Sequence, residues 1–160
     1  MSMNIECNRI ADQLASAVDG EAWYGDSVRQ ILDHVTAEQA QAHPISEAHS
    51  VWELVVHVEA WCKFALGAVK GTPIPPWPAM PKELDWPLVN EVGEKAWKTT
   101  VLSFFANHQK LVVAIRACND EKLSAVVPGR RYDYYRLFHS AVQHAIYHAG
   151  QIALLKKMQS

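Results

Sequence analysis

Six prolines in one segment limit the architectures open to this chain. They occupy positions 73, 75, 76, 78, 81 and 87 within TPIPPWPAMPKELDWP. Proline has no backbone N–H and its ring clashes with the preceding helical turn, so we expect the segment to be non-helical. The stretches on either side of it have to supply the regular structure.

Those flanking stretches have apolar residues at helical spacing. Four long helices are predicted, over roughly residues 3–18, from Ser50 to near Gly71, from about Asn90 to Cys118, and from roughly Asp133 to Met158. Two short helical pieces, DSVRQILDHV and TAEQAQ, follow the first of them. No stretch alternates with period two for long enough to predict a strand. The expected fold is therefore all-α, a four-helix bundle.

The connection between the second and third predicted helices is unusually long. It has about 18 residues, whereas bundle loops commonly have 2–8. When extended, it is able to span a full helix length of roughly 30 Å. The two helices could run parallel, joined by a crossover, or antiparallel, and spacing alone does not choose between them.

Composition excludes several classes of protein. A chain of 160 residues fits one domain, 1–160, and its formal net charge of −2 provides no basic surface for nucleic acid or anionic lipid. No apolar run has the length of a signal peptide or membrane span, which predicts a cytoplasmic protein without membrane contact. Cys7, Cys62 and Cys118 form no CxxC pair and are expected to be reduced thiols.

Two histidines share one face of the last predicted helix. His144 and His148 are four residues apart, which separates them by only about 40° around the helix axis. Leu137, Gln151 and Leu155 project in nearly the same direction, so this face is expected to point into the bundle. Each buried neutral imidazole needs a partner for its donor and its acceptor. The pair either bonds to protein groups or shares one metal ion.

A third ligand has to come from another helix, and His57 is the candidate. It lies in line with Leu54 and Trp61 at the flank of the second helix's apolar stripe. If the second and fourth helices are antiparallel, their 1.5 Å rise per residue places it at about the height of His144 and His148. We therefore predict one divalent transition metal ion bound by these three histidines.

The remaining histidines are assigned other roles. His108 is central in the third helix's apolar stripe, and a core histidine bonded to a backbone or hydroxyl group is preferred to a fourth ligand or a pocket base. His139 points about 140° away from the pair. Surface positions are expected for three that lie in or near turns: His34, His43 and His49.

Glu53 has two interpretations. It lies one turn before His57 and could orient that imidazole. It also follows Ser50 by three residues, the spacing of a helix capping box. We prefer the capping role.

Several stretches resemble the DinB/YfiT-like superfamily: GEAWYGDSV, SVWELVVHVEAW, NDEKLSAVVPG and above all QHAIYHAGQIALLKK. The resemblance covers essentially the whole chain. It implies a four-helix bundle with a long crossover between helices two and three, commonly a homodimer. It also implies a metal site, usually zinc or nickel, with one histidine from the second helix and two from the last, here His57, His144 and His148. The chain departs from the family at His139, where a small residue is frequent.

Function is expected to follow from the metal. Three neutral histidines leave a coordination position open, which is typical of catalytic rather than structural sites. The resemblance implies chemistry with low-molecular-weight thiols such as mycothiol or bacillithiol. The first hypothesis is thus a metal-dependent enzyme acting on a small molecule, a thiol S-transferase or a hydrolase. Its alternatives are a metal-stabilised binding or interaction module and a bundle without metal.

The catalytic residues are not predicted. Four side chains could supply a base or bind an anion beside the metal: Arg130, Arg131, Tyr147 and Gln151. The sequence assigns a role to none of them.

The last helix has a second apolar surface, roughly opposite the paired histidines. It consists of Phe138, Val142, Ile146, Ala149 and Ala153. Such a face has to meet either neighbouring helices or a second subunit. We expect a homodimer.

Overall fold

This computed structural model describes residues 4–73 and 81–159. The regular structure of these residues is helical. The helices are α1 Ile5–Asp19, α2 Val28–Leu32, α3 Ala37–Gln41, α4 Val51–Lys70, α5 Lys82–Asp85, α6 Glu94–Arg116, a 3-10 helix Asp120–Ser124, and α7 Tyr134–Lys157. Within these ranges the chain forms no strand, only two isolated β-bridges. The predicted all-α helical bundle is confirmed.

Side-chain caps fix the starts of α4 and α7, and a glycine ends α4. Ser50 Oγ accepts a hydrogen bond from the Glu53 backbone N–H, and the Glu53 carboxylate accepts one from the Ser50 N–H. After Lys70 the chain leaves the helix at Gly71, whose φ of 75° is unfavourable for other residues. The Asp133 carboxylate likewise caps α7. These ends lie where the sequence predicted them.

The third long helix begins later than predicted, at Glu94 instead of Asn90. Gly93 precedes it with a φ of 97°, a conformation that no helical residue adopts. The Glu94 carboxylate then accepts a hydrogen bond from the backbone N–H of Ala37, 2.7 Å away at the start of α3. The helix therefore begins directly after a glycine with positive φ, at a residue that contacts a distant segment, and periodicity alone reveals neither feature.

The proline-rich connection contains one helical turn, α5, although its prolines led us to expect none. Pro81 lies immediately before this turn, a position where the missing N–H breaks no helical hydrogen bond. Residues 74–80 lie outside the described ranges, and the predicted crossover passes through them.

Polar contacts between α4 and α6 follow the same order along both helices. Trp52 Nε1–H donates to Thr100 Oγ1 near the start of each helix. One to two turns further on, the buried Glu59 carboxylate accepts hydrogen bonds from Ser103 Oγ (2.5 Å) and Asn107 Nδ2 (2.7 Å). The two helices therefore run in the same direction.

In contrast, α4 and α7 run in opposite directions. The Tyr134 hydroxyl, in the first turn of α7, donates to the carbonyl of Ala68 in the last turn of α4. Nearer the middle of both helices, His57 meets His144. The antiparallel arrangement places histidines of both helices at one height, and it is the arrangement for which the sequence predicted the three imidazoles to be level.

The second apolar surface of α7 packs largely within the chain. Phe138, Val142 and Ala149 are buried, and Ile146 and Ala153 are half-buried against the core. This surface therefore needs no second subunit to cover it, and the expected homodimer stays a prediction.

The three cysteines are free thiols. Burial raises the pKa of Cys7 and of Cys62 to about 12, which keeps both protonated. None of the described helices is long and apolar enough to cross a membrane.

Candidate metal centre

The three predicted metal ligands meet between α4 and α7. His57, His144 and His148 each offer one ring nitrogen, and these atoms lie within 4.8 Å of one another. The Nε2 atoms of His57 and His144 are 3.0 Å apart. Two nitrogen ligands of a tetrahedral zinc ion stand about 3.3 Å apart, because each Zn–N distance is about 2.0–2.1 Å. This pair is therefore close to the spacing that one ion requires, and the other separations in the cluster are at most 4.8 Å.

Hydrogen bonds to the outer nitrogens orient two of these rings. His57 Nδ1–H donates to the backbone carbonyl of Asp85 (2.6 Å), and His148 Nδ1–H donates to Gln151 Oε1 (2.5 Å). A carbonyl oxygen only accepts, so the proton of each neutral ring has to lie on Nδ1. The Nε2 lone pairs are thereby left available to a metal, the usual arrangement around metal-binding histidines.

The segment between Pro81 and Pro87 folds over His57. The Trp86 ring stacks on the His57 ring, with centroids 3.8 Å apart and planes within 8°. His49 stacks on the same indole, 3.6 Å between centroids. Beside them, Asp85 Oδ1 accepts a hydrogen bond from Trp61 Nε1–H. The long connection thus supplies both a hydrogen-bond acceptor and an aromatic cover for one ligand.

Sequence reasoning missed Asp85 and Trp86. The pair was visible only as a carboxylate and an indole near the end of a proline-rich connection. Neither helical periodicity nor ligand spacing indicates where such a connection returns to the bundle. The interpretation of His49 as a surface residue was correct but incomplete, because its ring also packs on Trp86.

Burial keeps the cluster uncharged at neutral pH. It lowers the pKa of His144 to about 3, with further lowering from the charges that His148 and His57 would carry if protonated. Burial is also the main cause that lowers the pKa values of His57 and His148. Imidazoles bind metals in the neutral form, so the environment favours ligation over protonation.

Two cavities border the histidine cluster. One is a cavity of about 510 Å³ whose walls include His57 and His144. The other, of about 550 Å³, is bordered by His57, Trp86 and His148. Both volumes fall in the range of about 300–1,000 Å³ typical of small-molecule sites.

Comparison with known proteins identifies the family. A family model described as the DinB superfamily matches residues 22–152. The chain belongs to the DinB superfamily. The match includes α4 and α7 as far as residue 152, and with them all three clustered histidines. Comparisons with curated proteins and with solved structures give no match.

Membership of the DinB superfamily and the histidine cluster together fit a metal-binding protein of this family. The ligand set His57, His144 and His148 stays a prediction until a metal is measured. The donors present suit one ion, because all three are neutral imidazoles and two have their outer nitrogens fixed.

Of the four side chains considered as neighbours of the metal, two lie near the histidine cluster and two do not. Gln151 contacts His148, and Tyr147 borders both cavities. Arg130 lies over the Phe64 ring, 4.9 Å from its centroid, and is not among the described residues that line the 510 Å³ cavity. Arg131 borders a different cleft.

The remaining assignments largely hold. His108 is a core histidine whose Nδ1–H donates to the Phe104 carbonyl (2.8 Å), which confirms the preferred interpretation, and it also lines the 510 Å³ cavity. His139 borders the cleft of Arg131, away from the cluster. Glu53 caps α4 and contacts His43, which confirms its capping role.

Proposed function

We propose that this DinB superfamily protein binds one divalent transition metal ion, zinc or nickel, and is a metal-dependent enzyme acting on a small molecule. One observation carries the proposal. His57, His144 and His148 converge as three neutral donors beside a cavity large enough for a ligand. Three protein ligands leave a position open for a water molecule or a substrate.

A bound ion would supply a Lewis acid that activates a water or a thiol at this open position. The chain's own residues provide the setting for that chemistry. Asp85 and Gln151 hold two ligand rings in the required tautomer, and Trp86 covers one of them. Thiol transfer to an electrophile and hydrolysis are the two reactions we propose, with a low-molecular-weight thiol as the first candidate substrate.

The burial of the ligands favours a second candidate function. His57 and His148 are only 5% and 6% exposed, as the ligands of a structural ion commonly are. A metal-stabilised binding or interaction module without turnover is therefore the alternative.

Metal analysis of protein purified without a metal-affinity tag tests the binding step. We expect about one ion per chain, and His144→Ala and His148→Ala should each lose most of it. His139→Ala is the matched control, because His139 lies on the same helix outside the cluster. Unchanged metal content in both ligand variants would contradict the site.

Cobalt substitution separates the enzyme from the binding module. Cysteine methyl ester should add near-ultraviolet absorption to the cobalt protein, because a divalent cation favours deprotonated sulfur. With 1-chloro-2,4-dinitrobenzene as acceptor, thioether formation with chloride release should require the metal and be lost in a folded His57→Ala variant. Hydrolysis of 4-nitrophenyl acetate without thiol would indicate the hydrolase. A cobalt spectrum unchanged by the thiol, with neither reaction, would favour the module.

A further inference from the structure

One ring nitrogen of His108 is left unused by the protein. Nδ1–H donates to the Phe104 carbonyl within α6, so Nε2 carries the lone pair. No described residue forms a hydrogen bond with that Nε2. This Nε2 is also not fully enclosed by protein. Among the described residues, a side-chain nitrogen or oxygen that is fully buried and has no hydrogen bond occurs once, at His139 Nε2, and not at His108. His108 also lines the 510 Å³ cavity, so this cavity is the place where a partner for the Nε2 lone pair can lie.

His108 is suited to accept rather than donate a hydrogen bond. Burial lowers its pKa to about 4, so the ring is neutral near pH 7. A buried acceptor without a partner is unfavourable, and a donor in the cavity would relieve this cost.

Without a bound metal ion, the side chains of the cavity wall give an anion no counter-charge. Among the described lining residues there is no lysine or arginine, and Asp85 supplies the one carboxylate. That carboxylate already accepts a hydrogen bond from Trp61 and lies 3.4 Å from His57 Nδ1. Most of the remaining wall is aromatic or aliphatic, including Leu111 and Leu137. An anion therefore finds no cationic side chain here, whereas an apolar body finds apolar contacts.

We propose that this cavity binds an uncharged, largely apolar small molecule through a hydroxyl or N–H group that donates a hydrogen bond to His108 Nε2. His57 and His144 form another part of the same wall, so the bound molecule lies beside the candidate metal centre. Its identification as the substrate rests on the proposed function. The binding itself requires no metal.

Binding of three matched probes to metal-free protein tests the proposal. The probes are 4-ethylphenol, ethylbenzene, which lacks the hydroxyl donor, and 4-ethylbenzoate, which is anionic. We expect 4-ethylphenol to bind roughly threefold to tenfold more tightly than ethylbenzene, the effect of one neutral hydrogen bond. The benzoate should bind most weakly.

Two variants assign that preference to His108. His108→Leu removes the acceptor at similar volume and should abolish the preference for 4-ethylphenol. His108→Gln keeps an acceptor oxygen and should retain part of it. Circular dichroism identifies the folded variants. The ¹⁵N resonance of His108 Nε2 in the wild-type protein provides a measurement that needs no variant, because it should move on addition of 4-ethylphenol and stay nearly still with ethylbenzene.

Equal affinity for the first two probes, tightest binding of the benzoate, or an unmoved Nε2 resonance would overturn the proposal. The cobalt protein then tests the link to function. If 4-ethylphenol binds as expected without perturbing the cobalt spectrum, the result supports the binding site in the cavity and contradicts its role as the substrate site. If the protein binds no metal, the proposed function fails while the probe measurements keep their meaning.

Discussion

Replacing Gln151 by leucine should weaken metal binding without unfolding the protein. The Gln151 amide oxygen is 2.5 Å from His148 Nδ1 and fixes both the tautomer and the orientation of that ring. Leucine has similar size but offers no acceptor. In the variant, the proton of His148 is free to move to the nitrogen that faces the cluster, which would block ligation.

The size of the effect follows from the role of the amide. Loss of a group that orients a metal-binding histidine typically lowers metal affinity about 10–100-fold. That range corresponds to roughly 1.4–2.7 kcal/mol of binding free energy. We expect a value near the middle, because Asp85 still orients His57 and two of the three ligands are unchanged.

Competition titration with a chromophoric zinc chelator measures the affinity of wild-type protein and variant. Gln109→Leu is the control, since Gln109 is exposed on α6 away from the cluster, and it should bind zinc as the wild type does. The reasoning fails if Gln151→Leu binds zinc within twofold of the wild type, or if the control weakens binding equally.

Four further outcomes are expected. Trp86→Ala should lower zinc affinity roughly threefold to tenfold, since an aromatic stack contributes about 0.5–1.5 kcal/mol. Trp86→Phe should keep most of the wild-type zinc affinity, and an equal loss in both variants would contradict this prediction. In the zinc competition titration, three histidines of pKa 6.5 would lose roughly 70-fold in zinc affinity between pH 8 and pH 6, because protons compete with the metal for the ring nitrogens. Here the loss should be far smaller, because the lowered pKa values, such as that of His144, move this competition to lower pH. Glu59→Ala should reduce the free energy of unfolding in urea by about 1–3 kcal/mol, because Ser103 and Asn107 lose their acceptor; the exposed Glu47→Ala should change it by less than about 0.5 kcal/mol. Light scattering should give a homodimer, and a mass of about 18 kDa per particle, that of one chain, would refute that expectation.

Local sequence signals were sufficient to predict most helix ends. Ser50 with Glu53 and Asp133 with the following turn form caps within a few residues, so their effect is readable from the chain alone. The start of α6 was predicted too early: the helix begins after Gly93, and its first residue, Glu94, bonds to Ala37, a partner 57 residues away. Contacts of that range depend on the packed structure.

Helix direction was beyond the sequence for a similar reason. The length of the connection permits either direction for α4 and α6. A set of part-buried polar contacts accompanies the parallel arrangement, including Glu59 with Ser103 and Asn107. None of these residues is distinctive until the two helices face each other.

The candidate site was partly predictable. His144 and His148 are adjacent by helical geometry alone, and His57 could be matched to them by height. The second layer of the site, formed by Asp85 and Trp86, could not be found in this way. It depends on how an irregular connection returns to the bundle.

The large sequence separation between His57 and the other two histidines has a consequence for the order in which the site assembles during folding. His144 and His148 become neighbours as soon as one helix forms, whereas His57 reaches His144 across 87 positions of sequence. Closing the longer loop is entropically more costly and slower. A metal ion captured early by the local pair would act as a cross-link once His57 arrives, and it would join two helices that the chain itself connects only through a long detour. The ion would then stabilise the native topology as well as the candidate metal centre, and chelators should slow refolding of the wild type but not of His57→Ala.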